Sequence, residues 1–155
     1  MRAPQANLLI GLHMVAFALM YTGVERAVFR VGMPAALPFV KALGALLILI
    51  GGAVMCWARL AFASWRFRAQ LDAGHQLATS GPFRLVRHPM YAGLDLLALG
   101  TALWVPTALA WLGAGLMAGA GELRARAEEV LLERAFGETY RNYRHQTKRF
   151  IPGVY

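Results

Sequence analysis

The sequence is short of charged residues and has a single cysteine, and each shortage excludes a class of protein. Charged side chains make up 15% of the 155 residues, whereas soluble domains carry about 25%, so the chain is too apolar for an ordinary soluble fold. The lone Cys56 excludes an internal disulfide and a cysteine metal cluster. The four histidines lack the spacing of metal ligands, and we therefore expect no metal site.

What the sequence does contain is a high fraction of hydrophobic residues, with basic residues at the ends of the apolar runs. Hydrophobic residues make up 58% of the chain, and the formal net charge is +8. Fourteen of the 16 cations are arginine, mostly at the ends of apolar runs. A nucleic-acid-binding protein would collect its cations on one face of a polar domain, whereas arginines beside apolar runs are typical of membrane flanks near anionic headgroups. The composition predicts a small integral membrane protein whose partner is the lipid bilayer and not nucleic acid.

The apolar runs predict an all-α, polytopic membrane protein formed by one domain, residues 1–155. The four expected spans are about 8–24, 36–63, 91–105 and 107–123, since about 20 apolar residues cross the hydrocarbon core as a helix. The last two divide one uncharged run that is too long for a single span, and Pro106 predicts a helical hairpin with its turn there. A cleavable signal peptide is the alternative for the first span, because residues 16–18 read A-x-A, and the retention of the first 18 residues stays open.

The distribution of charge predicts how these spans are oriented. Four spans place both termini, the loop 64–90 and the C-terminal extension 124–155 on one side, and that side carries nearly all the arginines. By the positive-inside rule this side is cytoplasmic. Because the hairpin returns the chain to the side it left, residues 87–89 and residues 128–129 should meet at the cytoplasmic face although they are about 40 positions apart.

The first of these two segments combines basic residues with a helix start. His88 precedes a proline and should therefore be extended, and Pro89 can begin the next helix. The unpaired N–H groups of a helix start suit a carboxylate on a ligand. The alternative is that Arg84, Arg87 and His88 only anchor the edge of the membrane.

The second segment carries two adjacent glutamates. Glu128 falls on the apolar stripe of the last helix, where an acid must be paired or bind something, and an ion pair with Arg124 is the alternative to a ligand. Glu129 falls on the charged side of the same helix, with an exposed surface as its alternative. Asp95 lies inside the third span, where an acid is usually functional or paired.

Taken together, these segments resemble a known family. The pattern comprises S-W-R at 64–66, L-A-T-S-G-P-F-R at 77–84, R-H-P-M-Y-A-G at 87–93, E-E at 128–129, F-G-E-T-Y at 136–140, Tyr143 and I-P at 151–152. In this order and spacing it is similar to the isoprenylcysteine carboxyl methyltransferase family and the related phospholipid methyltransferases. The resemblance covers about residues 64–152. It implies an integral membrane methyltransferase that uses S-adenosylmethionine, with a lipophilic substrate that enters between the helices.

The resemblance also implies where S-adenosylmethionine binds. The expected cofactor-binding residues come from the loop, the start of the third span and the glutamate pair: His75, Gln76, Leu77, Ala78, Gly81, Phe83, Arg87, His88, Pro89, Met90, Tyr91, Glu128 and Glu129.

Three of these residues, Arg87, His88 and Glu128, are also expected to take part in catalysis. Arg87 suits a carboxylate, a glutamate suits an amine, and the imidazole of His88 could act as a general base that deprotonates an amine or a thiol acceptor. A carboxylate acceptor would need no base. Arg124 is expected to bind the acceptor, and the sequence does not identify that acceptor.

Two alternatives stay open. Membrane reductases of the sterol reductase type end much as residues 148–155 do, but they bind NADPH, whose additional phosphate favours more basic residues. The paired glutamates and residues 87–89 favour the methyltransferase. A non-enzymatic membrane assembly protein would use the same charges only as anchors. No feature of the sequence indicates an oligomeric state.

Overall fold

The computed structural model describes residues 6–61 and 77–155, and these ranges are helical apart from turns and one isolated bridge. Their α-helices are α1 (Ala6–Arg26), α2 (Pro38–Ala61), α3 (Pro89–Trp104), α4 (Ala108–Phe136) and α5 (Glu138–Gln146). One π-helical turn, Ala27–Val31, continues α1, and a 3₁₀ turn, Gly81–Arg84, precedes α3. The expected all-α class is confirmed for the described residues.

Helix α3 packs against both α2 and α4, and glycines bring its backbone close to that of α2. Gly44 faces Gly100, and Gly51 faces Gly93, so the two contacts are seven positions apart on each helix. A Cβ atom on Gly51 would lie 2.6 Å from the carbonyl oxygen of Gly93, which is closer than van der Waals contact. The two helices therefore approach as closely as their backbones permit.

The buried core lies between α1, α3 and α4. It is formed by Ala16 and Met20 of α1, Ala98 of α3 and Met117 of α4. His13 precedes Ala16 by about one helical turn and is buried with it. The side of α1 that packs inward therefore carries a histidine as well as small and apolar residues.

Within the described ranges, two helical segments are long and apolar enough to cross a membrane, Asn7–Val31 with 25 residues and Pro38–Ala61 with 24. Large apolar side chains on them are exposed, such as Leu8, Leu49 and Leu60, and in a bilayer these would contact lipid. Helix α3 has 16 residues, which rise about 24 Å against a hydrocarbon core of about 30 Å. The four-span topology stays a prediction.

Residues 105–107 join α3 to α4 and turn the chain back at Pro106. The Thr107 side chain accepts the N–H of Ala110 at 3.1 Å and so caps the start of α4. Helix α4 has 29 residues and continues past the expected end of the span at 123. Its extension brings the two glutamates beside His88 at the start of α3.

Candidate active site

His88 lies at the centre of a cluster of charged side chains. Its Nε2 is 3.3 Å from Oε1 of Glu129, and its Nδ1 is 3.6 Å from Oε2 of Glu128. Because it precedes Pro89, its backbone is outside the helix, with φ −125°. The residue is 6% exposed. The structure therefore brings together the two polar segments that the hairpin was expected to join.

Glu129 is surrounded by three basic side chains. Arg149 donates from Nε to Oε1 at 3.0 Å and from Nη2 to Oε2 at 2.8 Å, and Arg87 donates from Nε to Oε1 at 3.1 Å. Burial alone would raise the pKa of the Glu129 carboxyl. Hydrogen bonds from His88 and Arg149, together with the charge of Arg87, instead hold that pKa well below its ordinary value. Glu129 is therefore ionised and joins α4 to α3 and to the C-terminal segment, residues 147–155, which follows α5.

The burial of the two glutamates differs from the expectation. Helical spacing placed Glu128 on the packed stripe and Glu129 on the charged side, but the side chain of Glu129 is 6% exposed and that of Glu128 is 24% exposed. The reason is that Arg149, from the segment after α5, covers this part of α4. Its guanidinium supplies the charge that offsets the cost of burying a carboxylate, and no apolar pattern within α4 indicates such a neighbour.

Tyr91 links Glu128 to the interior of the bundle. Its hydroxyl donates a hydrogen bond to Oε1 of Glu128, and its ring stacks on His88 with centroids 5.8 Å apart. The Arg124 guanidinium lies 5.2 Å from the ring centroid, within cation–π range. Arg124 Nη2 is also 3.9 Å from Glu128 Oε1, so the ion pair considered as an alternative for Glu128 is present. The ring of His13, from α1, is 6.0 Å from that of Tyr91.

Backbone hydrogen bonds fasten the C-terminal segment beside the start of α3. Val86 and Lys148 form a parallel bridge. The N–H of Arg87 donates to the carbonyl of Lys148 at 2.7 Å, and the N–H of His88 donates to that of Arg149 at 3.1 Å. The side chain of Arg149 is thereby held next to the cluster.

The Arg87 guanidinium is engaged within the protein. Besides its bond to Glu129, its Nη1 donates to the carbonyl oxygens of Arg144, at 3.2 Å, and Thr147. Its side chain is 9% exposed. A ligand carboxylate, the group that Arg87 was expected to bind, would have to share this guanidinium with three acceptors of the chain itself.

The turn before α3 packs against α5. Gly81 has φ +59°, a left-handed conformation that favours glycine, and the turn that follows buries Phe83. The Tyr143 hydroxyl donates to the Phe83 carbonyl at 2.6 Å. Burial raises the pKa of Tyr143 to about 12, so this phenol stays protonated and remains a donor at neutral pH.

The other expected site residues lie in or before the same region. Pro89 is buried and Met90 is half-buried in the first turn of α3, and Leu77 and Ala78 are half-buried at the beginning of the second described range. His75 and Gln76 lie outside the described residues, as does the S-W-R motif at 64–66.

A cavity of about 490 Å³ borders the cluster. Arg87 and Arg149 line it together with side chains from α4, α5 and the C-terminal segment, which include Arg144, Lys148 and Tyr155. His88, Tyr91 and Glu128 are not among its lining residues, so the cavity lies on the outer side of Arg87 and Arg149.

Arg149 and His13 were not among the residues expected at this site. The only signal for Arg149 is its place in a basic, aromatic tail, which is also typical of a segment lying along headgroups. The signal for His13 is a polar side chain in an apolar run, and ionisable residues within spans are usually functional or paired.

Comparison with known proteins matches this part of the chain to a family. The phospholipid methyltransferase family model matches residues 39–139, a range that contains His88, Tyr91 and both glutamates but not Arg149. An uncharacterized protein of Haemophilus influenzae (strain ATCC 51907 / DSM 11121 / KW20 / Rd) is 35% identical over 63 residues, which are 40% of this chain and 100% of that protein. The match to the family thus covers the segments that form the charged cluster except its C-terminal part.

Proposed function

Since the chain belongs to the phospholipid methyltransferase family, we propose that it transfers a methyl group from S-adenosylmethionine to a small or lipophilic acceptor. The family makes it a membrane methyltransferase. The observation that carries the finer proposal is that His88, Tyr91 and Glu128 meet from two distant segments, and that Oε2 of Glu128 has no hydrogen bond from any described residue.

Glu128 is the group best suited to hold the amine of S-adenosylmethionine. Its Oε1 accepts from Tyr91, whereas its Oε2 is 3.6 Å from His88 Nδ1, a distance longer than a hydrogen bond. Its side chain is 24% exposed. An ammonium group can therefore donate a charge-assisted hydrogen bond to Oε2. The ring of Tyr91 already contacts the Arg124 guanidinium and His88, so Glu128 is the group left to hold the cation.

Glu129 and Arg87 act through the groups that they hold. Both oxygens of Glu129 accept hydrogen bonds from Arg149, and Arg87 has three acceptors within the chain. We propose that these two residues position His88 and the C-terminal segment, and that Glu128 makes the direct contact with the cofactor.

S-adenosylmethionine supplies an electrophilic methyl group on a cationic sulfur when it is bound. The protein contributes orientation, because a displacement on carbon is accelerated mainly by holding the reacting atoms in line. Glu128 and Tyr91 fix one side of the site, and the turn Gly81–Arg84 borders α3 next to it. Arg124, which lies over the Tyr91 ring, is proposed to bind the acceptor.

The site is proposed to face the cytoplasm, with both termini on the same side and four spans across the membrane. Arginine distribution supports this orientation, because the loop 64–90 and the extension 124–155 carry most of the basic residues. A lipophilic acceptor would reach the site from the bilayer, and S-adenosylmethionine would reach it from the aqueous side.

Calorimetry on the purified protein in detergent tests this function with S-adenosylhomocysteine and, separately, NADPH as ligands. S-adenosylhomocysteine should bind, and Glu128→Gln should weaken it about 10- to 150-fold, the worth of a hydrogen bond to a charged group. Glu138→Gln is the matched control, because Glu138 is 77% exposed and pairs with Arg141 on α5. Binding of NADPH alone, or equal affinity in the Glu128 and Glu138 variants, would contradict the proposal.

A further inference from the structure

His13 is a buried polar side chain in a helix that is apolar enough to span a membrane. It is 5% exposed and lies on α1 before Ala16, which is fully buried in the core. A buried polar group in this environment costs free energy unless it is paired. Such residues within spans are usually functional. The mechanism proposed above does not use it.

The hydrogen bond of its ring determines which nitrogen can accept a proton. His13 Nδ1 lies 3.1 Å from the carbonyl oxygen of Leu9. A carbonyl oxygen only accepts, so Nδ1 carries the hydrogen, and Nε2 of the neutral ring has a lone pair. Nε2 is buried and has no hydrogen-bond partner among the described residues. The bundle thus contains an oriented hydrogen-bond acceptor that nothing in the described chain fills.

This acceptor lies near the candidate active site and has a counterpart on α3. The His13 ring is 6.0 Å from the ring of Tyr91. One turn beyond Tyr91, Asp95 has a buried Oδ1 that also has no partner among the described residues. Gly121 of α4 borders both residues, since a Cβ on it would be in van der Waals contact with Tyr91 Cβ at 3.6 Å and with Asp95 Oδ1 at 3.8 Å. Two unfilled acceptors next to Tyr91 favour a ligand that donates hydrogen bonds.

His88, the residue expected to act as the base, is less suited to this step. Its Nε2 faces Glu129 and its Nδ1 faces Glu128, so each ring nitrogen already has a carboxylate beside it. A proton from the acceptor would find an unoccupied nitrogen on His13 instead.

We propose that His13 Nε2 receives the proton of the methyl acceptor, and that the acceptor reacts through a nitrogen or sulfur atom that carries hydrogen. This inference rests on the proposed methyltransferase function. The lone pair of the acceptor atom forms the bond to the methyl carbon. The bond from that carbon to the donor sulfur breaks, and its electron pair stays on sulfur. The proton of the acceptor atom goes to His13 Nε2 and leaves to water after the product departs. A carboxylate acceptor would have no proton to give.

The test replaces the base and keeps the local hydrogen bond. In His13→Asn, the amide N–H can still donate to the Leu9 carbonyl, but no basic nitrogen remains. His145→Asn is the control, because His145 is exposed on α5. Methyl transfer from labelled S-adenosylmethionine is measured with dodecylamine, dodecanethiol and dodecanoic acid as acceptor probes. We expect His13→Asn to lower the rate with the amine or the thiol about 10²- to 10⁴-fold, with unchanged affinity for S-adenosylhomocysteine.

A second measurement does not depend on turnover. In protein labelled with ¹⁵N at histidine, the Nε2 resonance that is absent from His13→Asn should be that of an unprotonated nitrogen, and it should shift when dodecylamine binds. The inference is overturned if His13→Asn transfers methyl groups at the wild-type rate, or if the chemical shift shows that His13 Nε2 is protonated. It is also overturned if the wild type methylates neither the amine nor the thiol. If the wild type does not bind S-adenosylhomocysteine, the proposed function itself is refuted, so the two failures are distinguishable.

Discussion

Replacement of Glu129 by glutamine should loosen the junction between α4, the start of α3 and the C-terminal segment. The change keeps the size of the side chain and removes the charge that two arginines share. Arg149 and Arg87 are 13% and 9% exposed, so neither can be rehydrated without local opening. Removal of one partner of a buried ion pair costs about 3–5 kcal/mol. Because Arg149 keeps Glu122 at 2.7 Å and Arg87 keeps two carbonyl oxygens, we expect the lower end, about 3 kcal/mol.

Thermal unfolding in detergent measures this cost. A loss of about 3 kcal/mol should lower Tm by about 6–12 °C for a chain of this size. Glu133→Gln is the matched control on the same helix, since its side chain is 36% exposed and pairs with Arg141 and Arg144, and exposed ion pairs contribute about 0–1 kcal/mol. Limited proteolysis should also remove the C-terminal segment faster in Glu129→Gln. Equal Tm values for the two variants would refute the view that Glu129 holds this junction.

Two further predictions concern the stability of the protein at acidic pH and the packing of α2 against α3. The pKa of Glu129 lies well below its ordinary 4.5, so the unfolded chain takes up the proton at a higher pH than the folded one. The stabilisation is complete above about pH 4.5 and is lost as pH falls through the folded-state pKa; wild-type Tm should therefore drop more than that of Glu129→Gln between neutral pH and about pH 3. For packing, Gly51→Ala should destabilise by about 1–3 kcal/mol, because its Cβ would meet Gly93 at 2.6 Å. A Cβ on Gly52 meets nothing within 4 Å, so Gly52→Ala should be neutral or up to about 1 kcal/mol more stable in thermal unfolding, and equal effects would contradict the close approach of α2 and α3.

The helical fold was predictable because apolar runs and prolines determine where helices form and end in the residues next to them. Pro89 begins α3 and Pro106 lies in the turn after it, as the restricted backbone of proline requires. Which helix packs against which was not predictable, because these contacts join residues that are far apart in the sequence. Gly44 and Gly51 are seven residues apart, as are Gly93 and Gly100, but neither spacing names the other helix as its partner.

The centre of the candidate site was predictable for a different reason. Once the hairpin at Pro106 is assumed, residues 87–89 and the glutamate pair have to end on the same side, and the structure places His88 between the two carboxylates. The contribution of Arg149 was not predictable. It reaches Glu129 only after the chain has passed through α5 and returned alongside residues 86–88, and a basic tail shows no sign of that return.

The two adjacent glutamates can have separate tasks because of helix geometry. Successive residues on a helix point about 100° apart, so Glu128 and Glu129 do not share all their neighbours. Glu129 meets Arg87 and Arg149, which neutralise it. Glu128 meets Tyr91 and, within the described ranges, retains an oxygen without a hydrogen bond. A carboxylate with its hydrogen bonds filled supports the fold, and a carboxylate with one oxygen unfilled can bind a cation. It follows that Glu128→Gln should lower the affinity for S-adenosylhomocysteine with little change in Tm, whereas Glu129→Gln should lower Tm first. If the two substitutions affected affinity and Tm in the same proportion, the pair would be a single electrostatic unit and this division of tasks would be wrong.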